Sequence, residues 1–213
     1  MSVAFIIPCF NEANSINSVI KKIINKGDIY IIDNGSKDNT LKIISKYKKI
    51  FIIKNNNNLG YDFAIEQGMK LATKNNAKFL ITLDGDGQHN LADFENIISN
   101  LNSGFDLVIS NRNIKGRFME KVFSFIMKKK YNISDPLSGL KGYKTELFKK
   151  YGFKNNFNSI GTFLMMKIIN NQHKYIEINY NILFRDGSSR FGNSLIVNLK
   201  ILFIIIITLL TKY

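Results

Sequence analysis

The chain has 213 residues, with 30 Lys and Arg against 16 Asp and Glu, and a formal net charge of +14. A hydrophobic content of 45% beside 22% charged residues excludes a wholly disordered chain and, at this length, leaves one sizeable core as the expectation. A single cysteine, Cys9, excludes a disulfide framework and a cysteine-built zinc cluster.

Two prolines and no tryptophan speak against a loop-rich secreted scaffold. No basic run leads into a long apolar stretch and a small-residue cleavage site at the N-terminus, so the cytoplasm is the expected compartment. The charge points to a polyanion: nucleic acid, an anionic membrane surface or a phosphorylated substrate. A chain so rich in Ile, Asn and Lys owes part of that charge to compositional bias. Arginine is scarcer, with only Arg112, Arg117, Arg185 and Arg190. A lysine-biased chain that still uses Arg hints at places where the planar, bidentate fork is needed.

Val3 to Ile7 reads as an apolar strand ending at Pro8. Ala13 to Asn25 carries Ile16, Val19, Ile20, Ile23 and Ile24 at helical spacing. Ile29 to Ile32 is a second strand, and Asp38-Asn39-Thr40 opens a second helix. Ile50 to Ile53 is a third strand, followed by a loop through the asparagine tract Asn55 to Asn58 and a helix from Tyr61 to Thr73. Phe79 to Leu83 is a fourth strand running into Asp84, Leu91 to Leu101 a helix, and Leu107 to Ser110 a fifth strand.

The second half is less regular. Lys115 to Tyr131 has an apolar face of Phe118, Met119, Val122, Phe123, Ile126 and Met127, ringed by Arg117, Lys121 and Lys128 to Lys130. That pattern suits a helix on an anionic bilayer, or a core helix with a solvated lysine end. Ile201 to Leu210 is apolar but for Thr208, between Lys200 and Lys212. Ten residues rise only about 15 Å as a helix, too short to span a bilayer. Interfacial insertion, a groove or self-association remain open for it. No repeat of solenoid period is evident.

Strand and helix alternate, and the strands are short continuous apolar runs. A mostly parallel sheet covered on both faces is therefore expected, with ligands beyond the carboxyl ends of its strands. Polar clusters follow three of those ends: Asn11-Glu12, Asp33-Asn34-Gly35-Ser36 and Asp84-Gly85-Asp86. Their convergence on one edge points to a site.

The sharpest of these is Leu83-Asp84-Gly85-Asp86-Gly87-Gln88-His89. Two carboxylates one residue apart can hold a hard divalent cation while leaving positions open for phosphate oxygens and water. A surface turn explains a bare Asp-x-Asp equally well; the placement after a buried strand is what separates the two. Asp33 can accept from the imide of a pyrimidine or the edge of guanine, while Asp38, Asn39 or Thr40 can cap the next helix. Glu12 is open to a capping role as well, and Cys9 reads as a small buried hydrophobe.

Taken together these segments resemble family 2 glycosyltransferases of GT-A fold, in the branch of dolichol-phosphate mannosyltransferase and bacterial polyprenyl-phosphate glycosyltransferases. Ile-Ile-Pro8-Cys-Phe10-Asn-Glu12 looks like the first-strand motif, Ile-Ile-Asp33-Asn-Gly-Ser-Lys-Asp-Asn-Thr the base motif, and Asn58-Leu-Gly60 with Ala64 and Gly68 the third element. Asp84-Gly-Asp86-Gly-Gln88-His89 looks like the metal motif. Ser110-Asn-Arg112, Asp135-Pro-Leu-Ser138-Gly139 and Arg185 through Arg190-Phe-Gly192 resemble the later ones, so the likeness runs over about residues 3 to 200.

The resemblance implies a Rossmann-like GT-A catalytic domain over residues 1–193 and an apolar helical tail over 194–213. It implies that Pro8, Phe10, Glu12 and Asp33 line the base and ribose pocket. Asp84 and Asp86 face the diphosphate and a Mg2+ or Mn2+ ion, with Asp86 and Gln88 as direct ligands. Arg112 lies by the transferred sugar or acceptor phosphate, Asp135, Ser138 and Gly139 at the acceptor end, and Arg185, Ser189 and Arg190 on the diphosphate or acceptor phosphate. Three departures stand out: Asn34 replaces the usual second Asp, Lys141 the usual Arg of Ser-Gly-Phe-Arg, and Ser110-Asn111-Arg112 the usual Gly-Ser-Arg.

The expected activity is metal-dependent inverting transfer from a UDP- or GDP-linked sugar to a polyprenyl phosphate at the inner face of the cell membrane. The alternative acceptor is a hydroxyl of a lipid-linked glycan, which needs a base, with Asp135 the candidate. Pairing through the apolar tail into a homo-oligomer is left open. A nucleic-acid module would need aromatic platforms or a groove-reading helix, and neither pattern is found.

Overall fold

The computed structural model describes residues 2–112, 117–152, 161–180 and 195–210. The first strand, β1 (Val3–Cys9), alternates strictly: Ala4 and Ile6 point into one apolar layer, Val3, Phe5, Ile7 and Cys9 into the other. Both layers are fully covered, as the unbroken apolar strands require. Pro8 does not end β1. It pairs with Ile32, because the ladder to the neighbour on the other side has already stopped at Ile6 and Thr82.

Around β1 lie β2 (Asp28–Asn34), β3 (Ile50–Asn55) and β4 (Phe79–Thr82), all parallel. β6 (Lys141–Lys144) runs antiparallel between β4 and β5 (Leu107–Arg112), and β7 (Tyr175–Tyr180) pairs parallel with β5. The order is β3-β2-β1-β4-β6-β5-β7. The reversed strand matters for the site: β6 begins at the edge where β1, β2, β4, β5 and β7 end.

One face carries α1 (Ile16–Ile23), α2 (Thr40–Ile44) and α4 (Leu91–Asn102); the other carries α3 (Tyr61–Lys74), α5 (Phe118–Tyr131), α6 (Thr145–Tyr151), α7 (Thr162–Asn170) and α8 (Leu195–Leu210). Helix α1 is shorter than Ala13 to Asn25. The carbonyl of Glu12 accepts from the N–H groups of Ser15 and Ile16 at 3.1 and 3.0 Å, so residues 13–15 form a turn that bends the chain toward the sheet edge. Helix α8 is longer than the apolar run Ile201 to Leu210 and begins at Leu195. Helix α4 opens on a reciprocal capping box between Asn90 and Asp93.

Candidate active site

The β1–α1 and β2–α2 loops are stitched together at the carboxyl edge. The N–H of Asn11, which sits in the left-handed region at φ 56°, donates to Ser36 Oγ at 2.9 Å, and Lys37 N–H donates back to Asn11 Oδ1 at 2.8 Å. Glu12 N–H donates to Thr40 Oγ1 at 2.7 Å. Asp38 accepts from Ala13 and Thr40 N–H; burial pushes its pKa up, but the Thr40 and Ala13 hydrogen bonds outweigh that and hold it below the usual range. Asp38 is thus a loop fastener, while Asp33 lies buried at the end of β2 and accepts from Ser36 N–H at 3.2 Å. Pro8 and Phe10 are half-buried beside it. Glu12 precedes α1 by a full turn and does not cap it; its carboxylate lies 3.0 Å from Ser15 Oγ.

The asparagine tract has a structural task that its composition alone did not suggest. Asn34 donates to Asn58 Oδ1 and Gly60 O, and its own Oδ1 accepts from Leu59 N–H and Asn55 Nδ2. A carboxylate at position 34 could not make the two donations. Gly35 lies so close to this tract that a Cβ would fall 2.8 Å from the Asn57 carbonyl carbon.

The loop after β4 is gripped from α1, α3 and the segment before β6. Ser15 Oγ donates to Gly85 O at 2.7 Å, and Lys22 Nζ reaches His89 O at 2.8 Å and Gly87 O at 3.3 Å. From α3, the Tyr61 hydroxyl donates to Asp84 Oδ1 at 3.0 Å. Burial, and then the Asp84 charge, keep that hydroxyl protonated well above its ordinary range. Against the other side of Asp84 lies Gly139, where a Cβ would sit 2.6 Å from Oδ2. Asp84, Asp86 and Gln88 all remain half-buried and bring hard oxygen donors to one loop, a set that suits Mg2+ or Mn2+ with phosphate oxygens completing the sphere. Gln88 N–H donates to Asp86 Oδ1 at 3.2 Å.

His89 closes the loop beneath. It is 4% exposed, packs against Tyr180 at 5.1 Å and Phe94 at 6.2 Å, and neither ring nitrogen has a hydrogen-bond partner among the described residues. Burial, with Lys22 and Arg112 nearby, pulls its pKa down to about 4 against the opposing pull of Asp86, so the ring is neutral at pH 7.

At the far end, Arg112 and Asp135 form a bidentate pair: Nε to Oδ2 at 2.7 Å and Nη2 to Oδ1 at 3.0 Å, with Arg112 N–H also donating to Oδ2. Asp135 is nearly inaccessible, and Glu177 on β7 accepts from the N–H groups of Ser134 and Asp135. Burial works against the Arg112 charge, yet Asp135 more than compensates and raises its pKa. Lys141, at the start of β6, is 1% exposed and donates to the Ser138 carbonyl. Burial lowers its pKa to about 8, against the pull of Asp135, Asp62 and Asp84.

Pro8, Phe10, Glu12, Asp33, Asp84, Asp86, Gln88, Arg112 and Asp135 therefore share one edge of the sheet. Arg185, Ser189 and Arg190 lie outside the described residues. Sequence reasoning missed Tyr61, Ser15, Lys22 and Glu177. Ser15 and Lys22 stand seven apart, on one side of α1, a spacing from which a shared target can be read.

The sequence matches the profile of Glycosyl transferase family 2 over residues 4–187. It is 26% identical, over 235 aligned positions, to the UDP-N-acetylglucosamine–dolichyl-phosphate N-acetylglucosaminyltransferase of Methanococcus voltae, covering 94% of this chain and 93% of that protein. Identity to the dolichol-phosphate mannosyltransferase of Pyrococcus furiosus is 26% over 192 residues, which is 79% of this chain and 52% of that enzyme. Among solved structures, the glucosyl-3-phosphoglycerate synthase of Mycobacterium tuberculosis in complex with Mn2+, UDP and glucosyl-3-phosphoglycerate superposes with a TM-score of 0.77. It covers 98% of this chain and 78% of that one at 17% identity. The motifs at the sheet edge, the profile match and the superposition agree, and the chain belongs to glycosyl transferase family 2, a glycosyltransferase of GT-A fold.

Proposed function

We propose that the enzyme transfers a sugar, with inversion, from a UDP- or GDP-linked donor to a polyprenyl phosphate, using Mg2+ or Mn2+. In this reading Pro8, Phe10, Glu12 and Asp33 receive the base and ribose. Asp84, Asp86 and Gln88 hold the metal, which when bound neutralises the diphosphate and eases its departure. Arg112, positioned by Asp135, meets the acceptor phosphate, with Ser138 and Gly139 beside it. Arg185, Ser189 and Arg190 would add positive charge to a phosphate. Residues 1–193 would be the catalytic domain and 194–213 a tail, the whole lying peripherally at the inner membrane face.

One relationship carries the reading: Asp84 stands between the two halves. Its loop is held through Gly85 O by Ser15 Oγ, which lies 3.0 Å from the Glu12 carboxylate on the base side, and its own carboxylate backs onto Gly139 on the acceptor side. A donor bound across that junction would share the sheet edge with Arg112. An acceptor phosphate is already anionic at pH 7, so the protein's task is alignment and charge stabilisation rather than proton removal. A sugar hydroxyl would need a base, and both oxygens of Asp135 are engaged by Arg112. That supports the phosphate acceptor. The names of the dolichyl-phosphate relatives support it as well. Asp86→Ala should fold normally and lose turnover; an Asp86→Ala protein with wild-type turnover would overturn the assignment.

A further inference from the structure

We propose that the outward face of α8, continued by the exposed stripe of α5, seats this protein on a bilayer carrying anionic headgroups. The inference deepens the polyprenyl-phosphate reading and rests on it for its purpose, while the surface argument stands on its own. Helix α8 buries Ile201, Ile204, Ile205 and Thr208, a single stripe at helical spacing, against the body of the protein. A helix of a water-surrounded protein turns polar groups outward on the opposite side. Here that side offers Ile196, Leu199, Leu202, Phe203, Ile206 and Leu209, all exposed, with Lys200 as its cation. Such a contiguous apolar face marks an interaction site.

Helix α5 extends the same surface. The Met119 N–H donates to Asn198 Oδ1 at 3.3 Å, which ties the starts of the two helices together. The exposed residues of α5 are Phe118, Lys121, Phe125, Lys128, Lys129 and Lys130; all but Lys130 form one stripe at i, i+3, i+7, i+10 and i+11. Aromatic rings and lysines on one stripe suit the boundary between acyl chains and headgroups. Helix α5 also starts six residues after Arg112, so its Phe118 end belongs to the catalytic edge of the sheet.

Charge selects the occupant. A second copy paired through this surface would bring one lysine-bearing stripe (Lys121, Lys128 and Lys129) up to another of the same sign, in a chain of net charge +14. Anionic headgroups meet the same lysines favourably. Packing selects the mode: Ile201, Ile204, Ile205 and Thr208 hold one side of α8 against the body of the protein, so α8 would meet the bilayer side-on, in the plane of the interface. Among the described residues no helix is long and apolar enough to cross a membrane.

The test is flotation of the full chain with phosphatidylcholine vesicles, with and without phosphatidylglycerol. The wild type should float with the anionic vesicles and be released by high salt. The double variant Leu199→Ser/Phe203→Ser, both positions exposed, should bind about tenfold more weakly or worse with an unchanged circular dichroism spectrum. Lys128→Gln/Lys129→Gln should lose the preference for anionic lipid. Wild type that stays with the pellet, or a serine variant that floats like wild type, overturns the proposal. So does a sedimenting dimer that the serine substitutions dissociate without any vesicle binding. Transfer to a water-soluble, short-chain prenyl phosphate separates the two readings: the serine variant should retain it. If no form of the enzyme shows it, the acceptor assignment fails while the flotation result stands.

Discussion

The Tyr61 hydroxyl and Asp84 Oδ1 are 3.0 Å apart, and the tyrosine is the donor. Tyr61 opens α3, so a rigid helix start on one face of the sheet fixes the first carboxylate of the β4 loop. Groups that orient a metal ligand are worth about 10–100-fold in metal affinity. Tyr61→Phe keeps the ring and removes the bond. It should weaken Mn2+ binding by roughly tenfold in calorimetry, while metal-free nucleotide binding changes little.

Gly139 guards the other side of the same carboxylate. A Cβ there would lie 2.6 Å from Asp84 Oδ2 and 2.7 Å from Oδ1. Gly139→Ala should therefore displace Asp84 and lower Mn2+ affinity at least as much as Tyr61→Phe. Electron paramagnetic resonance of free Mn2+ in a titration reads this without any turnover.

The Arg112–Asp135 pair should respond asymmetrically. Removing Arg112 leaves Asp135 buried without its counter-charge, so Arg112→Ala should destabilise the fold by roughly 2–4 kcal/mol in urea unfolding. Asp135→Asn keeps the shape and leaves a partly exposed Arg that water can serve. It should cost less stability, yet lower transfer strongly by freeing the guanidinium from its fixed orientation, with donor binding preserved.

Lys141 sets an alkaline limit. Burial lowers its pKa to about 8, so the cation facing Asp135, Asp84 and Asp62 is shed as pH rises past that value. Activity should fall on that limb, and Lys141→Arg should extend the plateau because a guanidinium stays charged. Stability moves the other way. Between about 8 and the ordinary value of 10.5 the unfolded chain holds a proton that the folded chain has released, so this group's contribution to stability rises with pH across that window. A pH profile of transfer beside pH-dependent unfolding checks both signs.

The first half of the fold was legible because buried strands there run at once, or one residue later, into polar residues: Cys9 through Phe10 into Asn11, Ile32 into Asp33, Leu83 into Asp84. The β6 strand was not. Lys-Gly-Tyr-Lys has no apolar run, and it is buried because β4 and β5 flank it on both sides. The acidic motif residues were found by type and spacing. The partners Tyr61 and Glu177 were hidden because they act across 23 to 43 positions of sequence, distances that no local pattern encodes. Asn34 looked like a lost carboxylate and proves to be the amide that its loop requires.

The most direct measurement is transfer of label from a panel of radiolabelled UDP- and GDP-sugars to polyprenyl phosphate, with and without Mn2+ or Mg2+. Metal-dependent label in the lipid extract, absent with Asp86→Ala, is the predicted result. Donor that is only hydrolysed, or left intact although nucleotide binds with metal, would contradict the polyprenyl-phosphate acceptor.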